Sequence, residues 1–86
     1  MNNEFQELHF QVATIVDNGL NEVKSNSLNL DQKLDLLNKM ENSVQELLNL
    51  TMKLGLDRKK NVLEFFNLDR LDNRTNKARR LAFKKK

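Results

Sequence analysis

The sequence contains no cysteine, proline, tryptophan or tyrosine, and it has one histidine and two glycines. Without cysteine the chain has neither disulfides nor thiolate ligands for a zinc cluster. Two widely separated glycines cannot build a phosphate-cradling loop, and one histidine excludes histidine-based nucleophile triads. His9 is therefore expected to be a packing or surface residue. We expect no enzymatic activity, no cofactor and no metal.

Long hydrophobic runs are also missing. No apolar segment approaches the roughly 20 residues that a membrane-spanning helix needs. The N-terminus, MNNEFQELHF, lacks the basic and then apolar pattern of a secretory signal. A soluble, cytoplasmic protein is the expectation. The abundance of asparagine and lysine suggests an AT-rich genome, such as that of a low-GC bacterium or its phage, whose host cytoplasm would then be the location.

What the chain does contain predicts an all-α fold. Leucine is abundant, and the absence of proline permits long uninterrupted helices. Residues 29–54 carry the most regular apolar pattern, with steps of three and four that keep the side chains on one helix face. Its members are Leu37, Met40, Val44, Leu47, Thr51 and Leu54, flanked by Leu30, Leu34 and Leu48. Asn29 with Gln32 predicts a capping box, and Gly55 a C-terminal stop.

The N-terminal helix is predicted over about residues 3–25. One face collects its apolar residues: Phe5, Leu8, Val12, Ile15, Val16 and Val23. Gly19 falls at the centre of this face, where it would allow a neighbouring helix to approach closely. The alternative is that Gly19 ends the helix as a plain C-cap.

These two helices are expected to form a long antiparallel hairpin joined by the polar residues 25–29. A two-helix hairpin leaves part of its wide apolar stripe uncovered. Dimerisation into a four-helix bundle would cover it, as would a folded-back third helix. We expect the homodimer.

The C-terminal part is predicted to form one or two shorter helices. Asp57 is a plausible N-cap, which would put Arg58, Lys59 and Lys60 in the first turn as a secondary basic cluster. Two apolar faces then follow in different phases. The first comprises Val62, Leu63 and Phe66, and the second Leu68, Leu71, Thr75, Ala78 and Ala82. Because one straight helix cannot easily bury both faces, a bend or break is expected between about Asn67 and Asn73.

Charge divides the single domain into two parts. Residues 1–56 hold eight acidic and four basic residues, whereas residues 57–86 hold four acidic and eleven basic residues. An acidic helical hairpin is therefore followed by a basic segment with a frayed lysine-rich end. Such a density of cations favours binding to phosphates. The nucleic-acid-binding candidates are Arg70, Arg74, Lys77, Arg79, Arg80, Lys84, Lys85 and Lys86.

The favoured function is a non-enzymatic helical protein that binds DNA or RNA through this segment, as an accessory or regulatory protein of a phage or mobile element. The alternative is a protein-interaction module, such as a phage assembly or scaffolding factor or a regulator that docks on an acidic partner. Phe10, Phe65 and Phe66 would then be the apolar contacts. The helix, break and basic helix fit a helix-turn-helix outline only loosely.

Overall fold

The computed structural model describes residues 2–25 and 27–84, which form three helices and no strand. They are α1 (Asn3–Ser25), α2 (Leu30–Lys53) and α3 (Val62–Ala82). Each helix packs against the other two, and the resulting body measures 43 × 18 × 16 Å. None of these helices is long and apolar enough to cross a membrane.

Local signals set the ends of α1 and α2. The Asn2 side chain accepts a hydrogen bond from the backbone N–H of Phe5 (3.1 Å). At the start of α2 the predicted capping box is confirmed: Asn29 Oδ1 accepts from the Gln32 N–H, and Gln32 Oε1 accepts from the Asn29 N–H. Gly55, at a φ of +66°, ends α2 in the left-handed conformation that glycine adopts most readily.

The core is one cluster to which all three helices contribute, and α3 closes it over α1 and α2. Its most deeply buried apolar members are Phe5, Val12, Val16, Met40, Leu47, Leu71 and Ala78. The buried hydroxyls are satisfied within their own helices. Thr51 donates to the carbonyl of Leu48, and Thr75 to the carbonyl of Leu71. A third helix within the same chain thus covers the stripe for which a dimer was expected.

Gly19 lies inside α1 and is buried, as the preferred interpretation required. A Cβ atom at this position would lie 2.5 Å from the Met40 sulfur and 2.9 Å from its Cγ. Both distances are shorter than van der Waals contact, and Met40 is fully buried. The glycine therefore makes room for the Met40 side chain of α2, and the C-cap alternative is wrong.

The predicted break between Asn67 and Asn73 is wrong, because α3 runs without interruption from Val62 to Ala82. Only one of the two apolar faces is buried: Leu68, Leu71, Thr75, Ala78 and Ala82 all lie in the core. The other face remains in solvent, with Val62, Leu63 and Phe66 between 55% and 65% exposed. The two apolar faces therefore require no interruption of the helix, since the face of Val62, Leu63 and Phe66 stays largely in solvent.

The prediction of Asp57 as the N-cap of the third helix is also wrong. Asp57 organises a turn instead: its Oδ1 accepts from the Lys59 N–H, and its carbonyl accepts from the N–H groups of Lys60 and Asn61. The helix begins four residues later, with Asn61 as its N-cap. Arg58, Lys59 and Lys60 therefore lie before α3, clear of the first turn in which a positive charge is unfavourable.

Candidate nucleic-acid interface

The solvent face of α3, continued by Lys84 just after the helix end, carries a line of side chains separated by steps of three and four residues. These are Phe66, Arg70, Asn73, Lys77, Arg80 and Lys84, and all six are exposed. The line lies opposite the buried face because helical positions about half a turn apart point in opposite directions. We call its four cations, Arg70, Lys77, Arg80 and Lys84, the basic stripe. None of them forms an ion pair with another residue of the described chain.

Arg74 and Arg79 belong to a different set. Arg74 forms an ion pair with Asp17 of α1, and Arg79 with Glu41 of α2. At about 100° per residue the two arginines lie on opposite flanks of the buried face of α3, and so beside the helix interface. Exposed pairs of this kind add at most about 1 kcal/mol of stability. Their main consequence is that the two guanidinium groups are already engaged with carboxylates.

Arg58, Lys59 and Lys60, the secondary basic cluster, also differ in whether they are paired with a carboxylate. The Arg58 guanidinium lies 4.7 Å from the ring centroid of Phe65 and 3.2 Å from the Asp69 carboxylate. Lys59 and Lys60 are exposed in the turn and form no ion pair with the described residues. Lys85 and Lys86, the last two candidates, lie outside the described residues.

The three phenylalanines proposed as partner contacts have different environments. Phe65 is a core residue with 8% of its surface exposed, whereas Phe66 is 61% and Phe10 74% exposed. Phe10 lies on α1, among polar residues of its own helix. Only Phe66 is in line with the basic stripe.

A shallow depression of about 430 Å³ runs along the exposed side of α3. Phe66 lies at one end, and the walls come from Asp69, Arg70, Asn73, Arg74, Lys77 and Arg80. Asp69 is the only acidic residue among them, and its carboxylate is paired with Arg58. Within residues 2–25 and 27–84 no group of histidine and carboxylate side chains is arranged to hold a metal ion.

His9 lies at the edge of this surface, half-buried on α1 with its ring stacked on Phe5 at a centroid distance of 6.0 Å. Burial lowers the pKa of the imidazole below its usual value of 6.5, and the nearby Arg70 guanidinium lowers the pKa further. Both causes disfavour the charged form. His9 is thus a neutral packing residue at neutral pH.

This environment predicts a pH-dependent stability. The His9 pKa is lower in the folded chain than in the unfolded chain, so protons bind preferentially to the unfolded state as the pH falls below about 6.5. The melting temperature, followed by circular dichroism, should therefore fall with pH in this window more steeply for the wild type than for His9→Gln. Parallel curves for the two proteins would contradict the assignment.

The division between engaged and unengaged arginines could not be foreseen from the sequence. Arg74 follows the same helical spacing as the basic stripe, and its partner Asp17 is 57 positions away. The available signal was helical position, since at about 100° per residue Arg74 and Arg79 flank the predicted buried face and Arg70 lies farther from its centre. Comparison with known proteins adds nothing further: no family model, curated protein or solved structure significantly matches the chain.

Proposed function

We propose that this chain is a small helical nucleic-acid-binding protein that contacts phosphates through the basic stripe of α3. One observation carries the proposal: Arg70, Lys77 and Arg80 lie on one exposed face of α3, Lys84 follows just after the helix end, and none of the four has a carboxylate partner in the described chain. Arg70 and Arg80 are about 15 Å apart along the helix axis, because an α-helix rises about 1.5 Å per residue, and Lys84 extends the line beyond the helix end. That length suits a row of phosphates.

Arg74 and Arg79 have a supporting role in this proposal. Their ion pairs link the flanks of α3 to α1 and to α2, while the buried face of α3 holds the helix on the core. Lys59 and Lys60 supply further positive charge from the turn before α3. The expected interaction is largely independent of base sequence, since phosphate contacts position a protein on nucleic acid without reading bases.

The test is a salt titration of the wild-type protein against labelled oligonucleotides, measured by fluorescence anisotropy between about 50 and 300 mM salt. If the four cations each neutralise one phosphate, the logarithm of the association constant should fall against the logarithm of salt concentration with a slope of roughly −3. An absence of binding at the lowest salt, or a slope near zero, would refute the proposal. Deleting residues 74–86 is unsuitable, since it removes Thr75, Ala78 and Ala82 from the core.

The alternative function is docking on an acidic protein, and one observation favours it. Val62, Leu63 and Phe66 form an exposed apolar group at the N-terminal end of α3, beside the basic stripe. Apolar anchors next to a charged rim are typical of protein interfaces. In that case Leu63→Ala should weaken the complex as much as Phe66→Ala, and more than the loss of one lysine. Phosphate binding predicts instead that Leu63→Ala weakens the complex less than the loss of one lysine.

We also propose that α1 and α2 run antiparallel and that the chain forms a homodimer. With the core closed by α3, a dimer would have to use exposed side chains such as Val62 and Leu63. It would present two basic stripes and so increase avidity. From its composition and its proposed nucleic-acid binding, we also propose that this chain is a cytoplasmic accessory or regulatory protein of a phage or mobile element.

A further inference from the structure

We propose that the preferred ligand is a single-stranded nucleic acid, with one unpaired base stacked on the ring of Phe66 while the basic stripe follows the phosphates. This inference rests on the proposed function and specifies its substrate class. The observation behind it is the position of an exposed aromatic ring at the end of a cationic line, within one continuous depression.

The geometry brings the ring and the cations together. Phe66 and Arg70 are four residues apart on α3, so their side chains are neighbours on the helix surface. Asn73 and Lys77 follow on the same line, and all four side chains border the depression. A base stacked on this ring would therefore have cations beside it.

The ring distinguishes a single strand from a duplex. Bases within a duplex are stacked on one another, so a helix in the major groove meets only their edges and the phosphates. Phe66 would gain little there beyond an apolar contact with a thymine methyl group. An unpaired base offers its whole π-face, and stacking on an aromatic side chain stabilises such complexes regardless of base identity. Phe66 is also largely exposed, whereas its neighbour Phe65 is buried.

The experiment compares oligothymidylate with a duplex of the same length, using wild-type protein, Phe66→Ala and Leu63→Ala. Leu63 is the matched control, because it is exposed to a similar extent (55% against 61%) and has no ring. We expect tighter binding of the single strand by the wild type. Phe66→Ala should weaken single-strand binding about five-fold or more, which corresponds to the loss of one stacked base. Duplex binding should be nearly unchanged, and Leu63→Ala should resemble the wild type.

A spectroscopic measurement detects the stacking itself. The chain contains no tryptophan, so Phe66→Trp introduces a single indole at the proposed site and Phe10→Trp a single indole elsewhere. Oligothymidylate should quench the fluorescence of Phe66→Trp and leave that of Phe10→Trp unchanged. Thermal melting of each variant verifies that it is folded.

Several outcomes would overturn the inference. Equal affinity for single strand and duplex, with an inert Phe66→Ala and unquenched Phe66→Trp, would refute stacking and leave the phosphate-binding function intact. Loss of a dimer in light scattering for both Phe66→Ala and Leu63→Ala, with unchanged oligonucleotide binding, would assign the apolar group to contact with a second copy. No binding of either nucleic acid would refute the proposed function as well.

Discussion

Replacing both Lys77 and Arg80 with glutamine should lower the affinity for nucleic acid by about ten-fold or more at low salt and flatten its salt dependence. Each lost phosphate contact reduces the salt slope by about one, so the double variant should lose about half of the slope expected for four contacts. Glutamine has nearly the helix propensity of lysine and arginine, and both positions are exposed. Anisotropy titrations at several salt concentrations measure both quantities.

The matched control for this variant is Lys39→Gln with Lys53→Gln. These lysines are exposed on α2, and their replacement changes the net charge by the same amount. If binding depended only on the total charge of the chain, the two double variants would lose affinity equally. A selective loss for Lys77 and Arg80 would assign the contact to the basic stripe. Equal losses would contradict that assignment.

The helix ends that were predicted correctly depend on local sequence. The capping box of Asn29 and Gln32 and the stop at Gly55 involve residues close to each other in the chain, and such signals act whatever the rest of the protein does. The position of Gly19 within α1 was predictable for a related reason, because Val23 continues the apolar phase of the residues before Gly19. Capping signals and apolar periodicity together therefore predicted where α1 and α2 begin and end.

The errors in α3 have the opposite origin. Its sequence contains two apolar faces, and periodicity cannot tell which of them the other helices will cover. The assumption that Val62, Leu63 and Phe66 must also be buried produced the false break near Asn67. Only packing decides the matter, and Leu68, Leu71 and Ala78 meet α1 and α2 instead. The apolar face that stays exposed, formed by Val62, Leu63 and Phe66, is then part of the candidate functional surface.

The candidate site was predicted in composition but not in organisation. A count of cations makes Arg70, Arg74 and Arg79 equivalent, and the tertiary structure separates them by their neighbours. Asp17 and Glu41 engage two of the three arginines, while Arg70 remains on the exposed line beside Phe66. Long-range ion pairs of this kind leave no periodic trace in a sequence. Because it excludes the paired arginines, the basic stripe is smaller than the basic segment of residues 57–86.

Truncating Leu47 to alanine should produce a large loss of stability, because this residue of α2 is fully buried in the common core. Removing a buried leucine side chain costs about 2–5 kcal/mol, a large share of the roughly 5–15 kcal/mol that stabilises a typical protein. For a domain of this size the melting temperature should fall by about 10 °C or more, as measured by circular dichroism.

Two further variants turn this measurement into a test of the architecture. Met52→Ala, on the same helix but 70% exposed, should melt close to the wild type. Leu71→Ala in α3 should destabilise the whole chain in a single transition, since Leu71 belongs to the same core cluster as Leu47. A variant in which α3 melts first, leaving α1 and α2 folded, would mean that α3 is held independently of the shared core. In that case α3 would separate from α1 and α2 before the rest of the chain unfolds. The basic stripe would then not be held in a fixed position for binding a ligand.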